Sequence, residues 1–206
     1  MPEKTENADL VIGAALNLFE PETLTRLVEN LPPHHFNDSA CRKAAVYAIL
    51  DDRKRILVIQ KPCYNDGYPW GGQLAFPGGH VETGDAGFLE AAFREVFEEV
   101  GITPAQLRTA GTLGRFPTVH NVSIEAFLGF ADKNVKPRPQ AGEVERIIWV
   151  NLAELMRTHL HNHYFDRPVT VDDLLYPVEN MTIWGATARI IQFFLNAVLN
   201  NRNLYA

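Results

Sequence analysis

The sequence predicts a mixed α/β (α+β) sandwich, and three observations carry the prediction. Short β-rich runs fill the middle of the chain. Helical periodicity marks residues 21–31 and 183–199, towards its two ends. One amphipathic acidic helix, within residues 85–101, interrupts the strands. Strands and helices in this order fit layers of helix packed on a sheet. A chain of 206 residues is long enough to bury a sizeable core in one domain. It is read as a single domain over residues 1–206, with a helical N-terminal extension over 1–40 and a core over 42–200.

In residues 21–31, Leu24, Leu27, Val28 and Leu31 recur at helical spacing, and Pro32-Pro33 stops the helix. Residues 44–50 and 55–60 read as two strands joined by Asp51-Asp52-Arg53-Lys54, a hairpin signal. A long loop follows over 62–73, with Tyr64, Tyr68 and Trp70 among prolines and glycines. Beyond the acidic helix, residues 106–113, 122–130 and 147–150 read as strands, and 152–156 as a short helix. Residues 158–177 read as loop or irregular strand; on a strand, His159, His161 and His163 would share one face. No cysteine or acid set accompanies these histidines, so a zinc-type site is not the favoured reading. The terminal helix over 183–199 repeats Ile183, Ala186, Ile190, Phe193, Phe194 and Ala197 at helical intervals.

The acidic helix is the most informative element. Leu89, Phe93, Val96 and Val100 form an apolar stripe, with Ala92 beside it, that packs on a core. Glu95, Glu98 and Glu99 are expected to point away from that stripe, with Glu95 and Glu99 one turn apart. Asp85 is the expected N-cap and Gly101 the expected C′ residue. A solvated acidic face is the ordinary explanation of such a pattern. Here the acids crowd the end of the helix where its dipole disfavours anions, just after a Gly78-Gly79 turn whose carbonyls can join them. Oxygen donors of this kind suit Mg²⁺ or Mn²⁺.

Residues 94–102, Arg-Glu-Val-Phe-Glu-Glu-Val-Gly-Ile, match the second half of the Nudix box, so the chain resembles the Nudix hydrolase family. In the first half, Gly79 is followed by five residues and then by Asp85 where the box has Glu, and eight residues instead of seven precede Arg94. A lengthened box of this kind, after Gly72-Gln73-Leu74-Ala75-Phe76-Pro77-Gly78-Gly79, resembles the coenzyme A pyrophosphatase-like subgroup. Lys43-Ala44-Ala45-Val46 and Ile183-Trp184-Gly185-Ala186-Thr187-Ala188 extend that resemblance towards both ends. Lys61 and Tyr68 stand where the subgroup carries two arginines.

The resemblance implies a Nudix α/β/α sandwich with a mixed central sheet, an N-terminal helical extension and a C-terminal helix. It implies Mg²⁺- or Mn²⁺-dependent hydrolysis of a nucleoside diphosphate linked to another moiety, with coenzyme A or a derivative in view. NADH, ADP-ribose, a dinucleoside polyphosphate, or a nucleotide-sensing module that does not cleave are the alternatives. Glu95 and Glu99 are the implied metal ligands and Gly79 offers a carbonyl. Glu98 is a metal ligand or the base, or else the Arg94 partner that fixes the helix. Glu143 is the implied loop base or a solvated acid, and Arg94 completes the catalytic set. Lys61 and Arg115 can hold phosphate, and Tyr68, Trp70 and Phe116 can stack on a base or simply pack.

The net charge of −6 argues against a nucleic-acid partner, which would call for a basic patch. Cys41 and Cys63 do not make a disulfide framework. No signal peptide or membrane span is read, so the expectation is a cytoplasmic protein acting on a small nucleotide, with a homodimer suggested by many relatives.

Overall fold

The computed structural model describes residues 2–32, 34–63 and 71–201. Its centre is a seven-stranded mixed sheet. The hairpin falls where the turn signal placed it: β1 (Arg42–Leu50) and β2 (Arg55–Gln60) pair antiparallel, with Leu50 opposite Ile56. The short β3 (Leu74–Ala75) pairs with β2, and β4 (Gly78–His80) pairs with β1. β5 (Leu107–Pro117) and β6 (Val122–Ala131) form a long antiparallel pair, β6 runs parallel to β1, and β7 (Arg146–Asn151) closes on β2.

Strand side chains alternate between two cores. Ala45, Tyr47, Ile49, Leu57, Ile59 and Phe127 face the helix α3 (Phe88–Val100). Ala48, Leu50, Ile56, Val58, Ala126 and Leu128 face the other way. There they meet α1 (Pro2–Leu16), α2 (Pro21–Glu29), α4 (Leu152–His161) and α5 (Gly185–Asn201). The result is helix, sheet and helix in three layers. Among the described residues no helix is long and apolar enough to cross a membrane.

Several expectations need correcting. The Gly78-Gly79 segment is a strand edge, because its backbone hydrogen-bonds to β1. Asp85 does not cap α3. The helix starts three residues later, after Gly87, and the Ala86 N–H donates instead to Glu90 at 2.5 Å. Gly101 does take the left-handed C′ position, with φ 68°. Residues 176–183 hold a small hairpin, β8 (Tyr176–Val178) with β9 (Met181–Ile183), so α5 starts at Gly185. Both cysteines are free.

The histidine row does not exist as a strand face. α4 runs on to His161, and His159 is fully buried on it. Its Nδ1 lies 2.9 Å from the Tyr176 hydroxyl and its Nε2 2.9 Å from Asn196 Oδ1. Asn196 Oδ1 can only accept, so Nε2 carries the proton, and Tyr176 donates to Nδ1. This network holds α4, β8 and α5 together with a neutral ring.

Burial pushes the His159 pKa from 6.5 to about 4. The unfolded chain therefore binds the extra proton between those values, and stability falls as pH drops through that window. The loss is on the order of 3 kcal/mol by pH 4. Urea unfolding at pH 7 and pH 4.5 is expected to show this dependence in the wild type and a flatter one in His159→Gln.

Candidate active site

The described residues line a cavity of about 1260 Å³. One wall is the sheet face carrying Ala44, Val46 and Ile124, and another is the last two turns of α3. The loop around Gly142 and Glu143 and the first turn of α5 complete it.

The acids do not all point away from the apolar stripe. Glu99 is only 2% exposed. Its Oε2 accepts the Gly78 N–H at 2.9 Å, and its Oε1 is paired with Lys61 Nζ. Burial raises its pKa, and the Lys61 ammonium pulls the other way. Glu95 is partly buried one turn earlier and accepts from Arg94 Nη1 at 2.9 Å. Burial raises its pKa too, against the opposing pull of Arg94.

Two glycines make this arrangement sterically permissible. A Cβ on Gly79 would lie 2.2 Å from Glu95 Oε1, so only glycine lets the carboxylate rest against that backbone. A Cβ on Gly78 would lie 2.3 Å from the Ala45 carbonyl oxygen, inside the β1–β4 pairing. The strand therefore presses directly on the acidic helix, with the backbone doing the work of side chains.

Arg94 organises the outer side of the helix. It meets Asp85 through Nε at 3.1 Å and Nη2 at 3.2 Å, and it donates to the His80 carbonyl at 3.0 Å. It also holds Glu98 at 2.9 Å. Asp85, at 5% side-chain exposure, thus anchors the arginine across the lengthened connection. On the far side, the loop after β6 docks on the end of α3. Arg138 N–H donates to the Val100 carbonyl at 2.9 Å, and Gln140 N–H donates to the Glu99 carbonyl at 3.0 Å. These bonds satisfy carbonyls the helix end leaves open and bring exposed Glu143 to the cavity rim.

Comparison with known proteins gives this geometry a family. The NUDIX domain model matches residues 41–173, more than half of the chain. The chain belongs to the Nudix hydrolase family. This Nudix chain is 34% identical over 134 residues to a probable nudix hydrolase of Schizosaccharomyces pombe, a stretch covering 62% of this chain and 45% of the relative. It is 31% identical over 123 residues to the uncharacterized Nudix hydrolase NudL of Citrobacter koseri, covering 59% of this chain and 64% of that protein. The chain thus spans less than two thirds of either relative's length. A crystal structure of a MutT/nudix family protein from Enterococcus faecalis superposes with a TM-score of 0.54 over 87% of this chain and 69% of its own. At 17% identity, that likeness speaks for the fold alone.

Within this Nudix fold, Lys61, Gly79, Glu95, Glu99 and Glu143 line this same cavity. Glu98 is not on the lining; it is 47% exposed and engaged by Arg94. Two of the expected substrate contacts are not on this lining. Phe116 is fully buried, stacked on His34 at 4.7 Å and edge-on to Phe193, so neither face is free for a base. Arg115 is taken by Glu125 at 3.0 Å and Asp38 at 3.4 Å, and its guanidinium lies over the Phe88 ring. Tyr64, Tyr68 and Trp70 lie outside the described residues. Gln73, Trp184, Thr187 and Arg189 line the cavity without having been singled out for it.

Proposed function

We propose that this Nudix chain is a divalent-metal-dependent pyrophosphohydrolase that cleaves a nucleoside diphosphate linked to another moiety. The observation that carries the reading is the pair of carboxylates, buried Glu99 and partly buried Glu95, pressed against the Gly78–Gly79 backbone at the cavity wall.

The donor set fits Mg²⁺ or Mn²⁺. It is made of oxygens, and burial makes bare carboxylates costly without a cation. Among the described residues no trio of His, Cys, Asp or Glu stands assembled around one point. Lys61 and Arg94 meet the acidic charges instead, with Lys61 on Glu99 and Arg94 on Glu95 and Glu98. Glu95 and Glu99 would hold the ion, the Gly79 carbonyl would complete the backbone side, and Glu98 would join by leaving Arg94. When bound, the ion neutralises phosphate charge and makes water a better nucleophile.

The chain's own residues supply the rest. Arg94, fixed by Asp85, positions Glu95 and Glu98. Lys61, released from Glu99, is free to hold phosphate as a point charge. Glu143 at the rim takes the proton of the attacking water as general base. Water oxygen joins one phosphorus, and the bridging P–O bond breaks to give two phosphorylated products.

Coenzyme A or a derivative is the substrate we place first, on the lengthened box and the Gly72 to Gly79 segment. Reduced NAD, ADP-ribose and dinucleoside polyphosphates are the competing members of one test panel. The test is turnover of that panel with Mg²⁺ or Mn²⁺, read by mass analysis of the products.

A further inference from the structure

The acidic helix builds one side of the cavity, and the start of α5 builds another. Trp184 precedes this helix of 17 residues, whose first residue, Gly185, has a left-handed φ of 65°. An indole has no acceptor, so it cannot cap the first-turn N–H groups. Among the described residues no other side chain accepts from the N–H groups of Gly185, Ala186 or Thr187. Those residues line the cavity, so the uncapped, positive end of the helix dipole forms part of its wall.

Two side chains there point independently to a ligand. Thr187 is 7% exposed, lines the cavity, and its hydroxyl has no hydrogen-bond partner among the described residues. No fully enclosed polar side-chain atom among the described residues lacks a partner, so this hydroxyl opens into the cavity. A hydroxyl that opens into the cavity without a protein partner is available to donate to whatever occupies it. Arg189 lines the same side, is half-buried, and makes no ion pair among the described residues. Most of this chain's other partly buried arginines are spent on carboxylates, as Arg55, Arg94 and Arg115 are. Asp172 also lines this side, exposed at the rim, and is the opposing charge.

We infer that the first turn of α5, with Thr187 and Arg189, is a phosphoryl-binding subsite distinct from the Glu95–Glu99 side. It selects substrates that carry a phosphoryl group besides the one that is attacked. Backbone N–H groups, a hydroxyl donor and a planar guanidinium fork are the donors such a group takes. As a statement about substrate class this rests on the proposed hydrolysis; as a statement about binding it does not.

The test therefore starts without catalysis. The full chain in EDTA is titrated with inorganic phosphate, and the backbone amides are followed by NMR. Saturable shifts are expected at Gly185, Ala186 and Thr187. The apparent Kd should rise at least tenfold in Arg189→Met, recover in Arg189→Lys, and stay unchanged in Glu99→Gln. No saturable shift at these amides, or an unchanged Kd in Arg189→Met, would overturn the subsite.

A kinetic arm then compares two pyrophosphate substrates that differ only in the additional phosphoryl group. Arg189→Met should raise KM tenfold or more for the one carrying it, with kcat within twofold, and leave the other unchanged. Equal effects on both would overturn the selectivity. If the wild type cleaves neither, the proposed activity fails while the phosphate titration still decides the subsite.

Discussion

Glu99→Gln is expected to lower turnover of the pyrophosphate substrate by about a thousandfold, the scale seen when a preorganised electrostatic group is lost. The reason is local. Glu99 is the most buried acid of the site, and its two oxygens face Gly78 N–H and Lys61. The amide keeps the shape and can still accept from Gly78. It removes the charge on which a divalent cation and the Lys61 ammonium both depend. The fold should persist, because the apolar faces of α3 and β1 are untouched. Circular dichroism and thermal unfolding of the variant should resemble the wild type while Mn²⁺ binding and turnover collapse together. Turnover within tenfold of the wild type would remove Glu99 from the site.

The second large effect is on stability. Gly78→Ala places a Cβ 2.3 Å from the Ala45 carbonyl oxygen and 2.6 Å from Val46 Cα. Both are backbone atoms of the central strand β1, which pairs with β6 along one edge and with β4 and β2 along the other. Nothing flexible can yield, so the cost should be at least about 3 kcal/mol in urea unfolding. Gly79→Ala is the informative contrast. The three atoms nearest its Cβ all belong to the end of the Glu95 side chain, the first at 2.2 Å. That carboxylate can swing aside, so stability should change by less than about 1 kcal/mol while activity falls. Comparable destabilisation by both substitutions would contradict this division between a structural glycine and a site glycine.

Elements with a clear period were legible from the residues alone. The hairpin over β1 and β2, the apolar stripe of α3 and the packing face of α5 each follow from spacing that only one secondary structure satisfies. The short elements were not. β4 is made of two glycines and a histidine, which carry no strand propensity; its pairing with β1 is a tertiary effect. β8 and β9 are three residues each and hide between turns for the same reason.

In the site, helical spacing put Glu95 and Glu99 on one face, yet it turned that face away from the core. Only the approach of β4 turns it inward and buries Glu99. Asp85 looked like a cap because it precedes a helix, but its partner Arg94 lies nine residues on, out of reach of any local rule. Arg115 and Phe116 had the right chemistry for a substrate. Of their actual partners, Asp38 and His34 come from a segment remote in sequence, and Glu125 from the neighbouring strand β6. Thr187 and Arg189 lay inside or beside a segment carrying the family resemblance, but only the cavity gives them a role.

The central claim is that the cavity between α3 and α5 hydrolyses a pyrophosphate with a divalent cation held by Glu95 and Glu99. The most direct test is incubation of the wild-type chain with the nucleoside diphosphate panel in ¹⁸O-labelled water, with Mn²⁺ or with EDTA, followed by mass analysis. At least one member should be cleaved with Mn²⁺, a single ¹⁸O should enter one of the two phosphorylated products, and EDTA should abolish the cleavage. Cleavage undiminished in EDTA, or no cleavage of any member with Mn²⁺ or Mg²⁺, would contradict the claim.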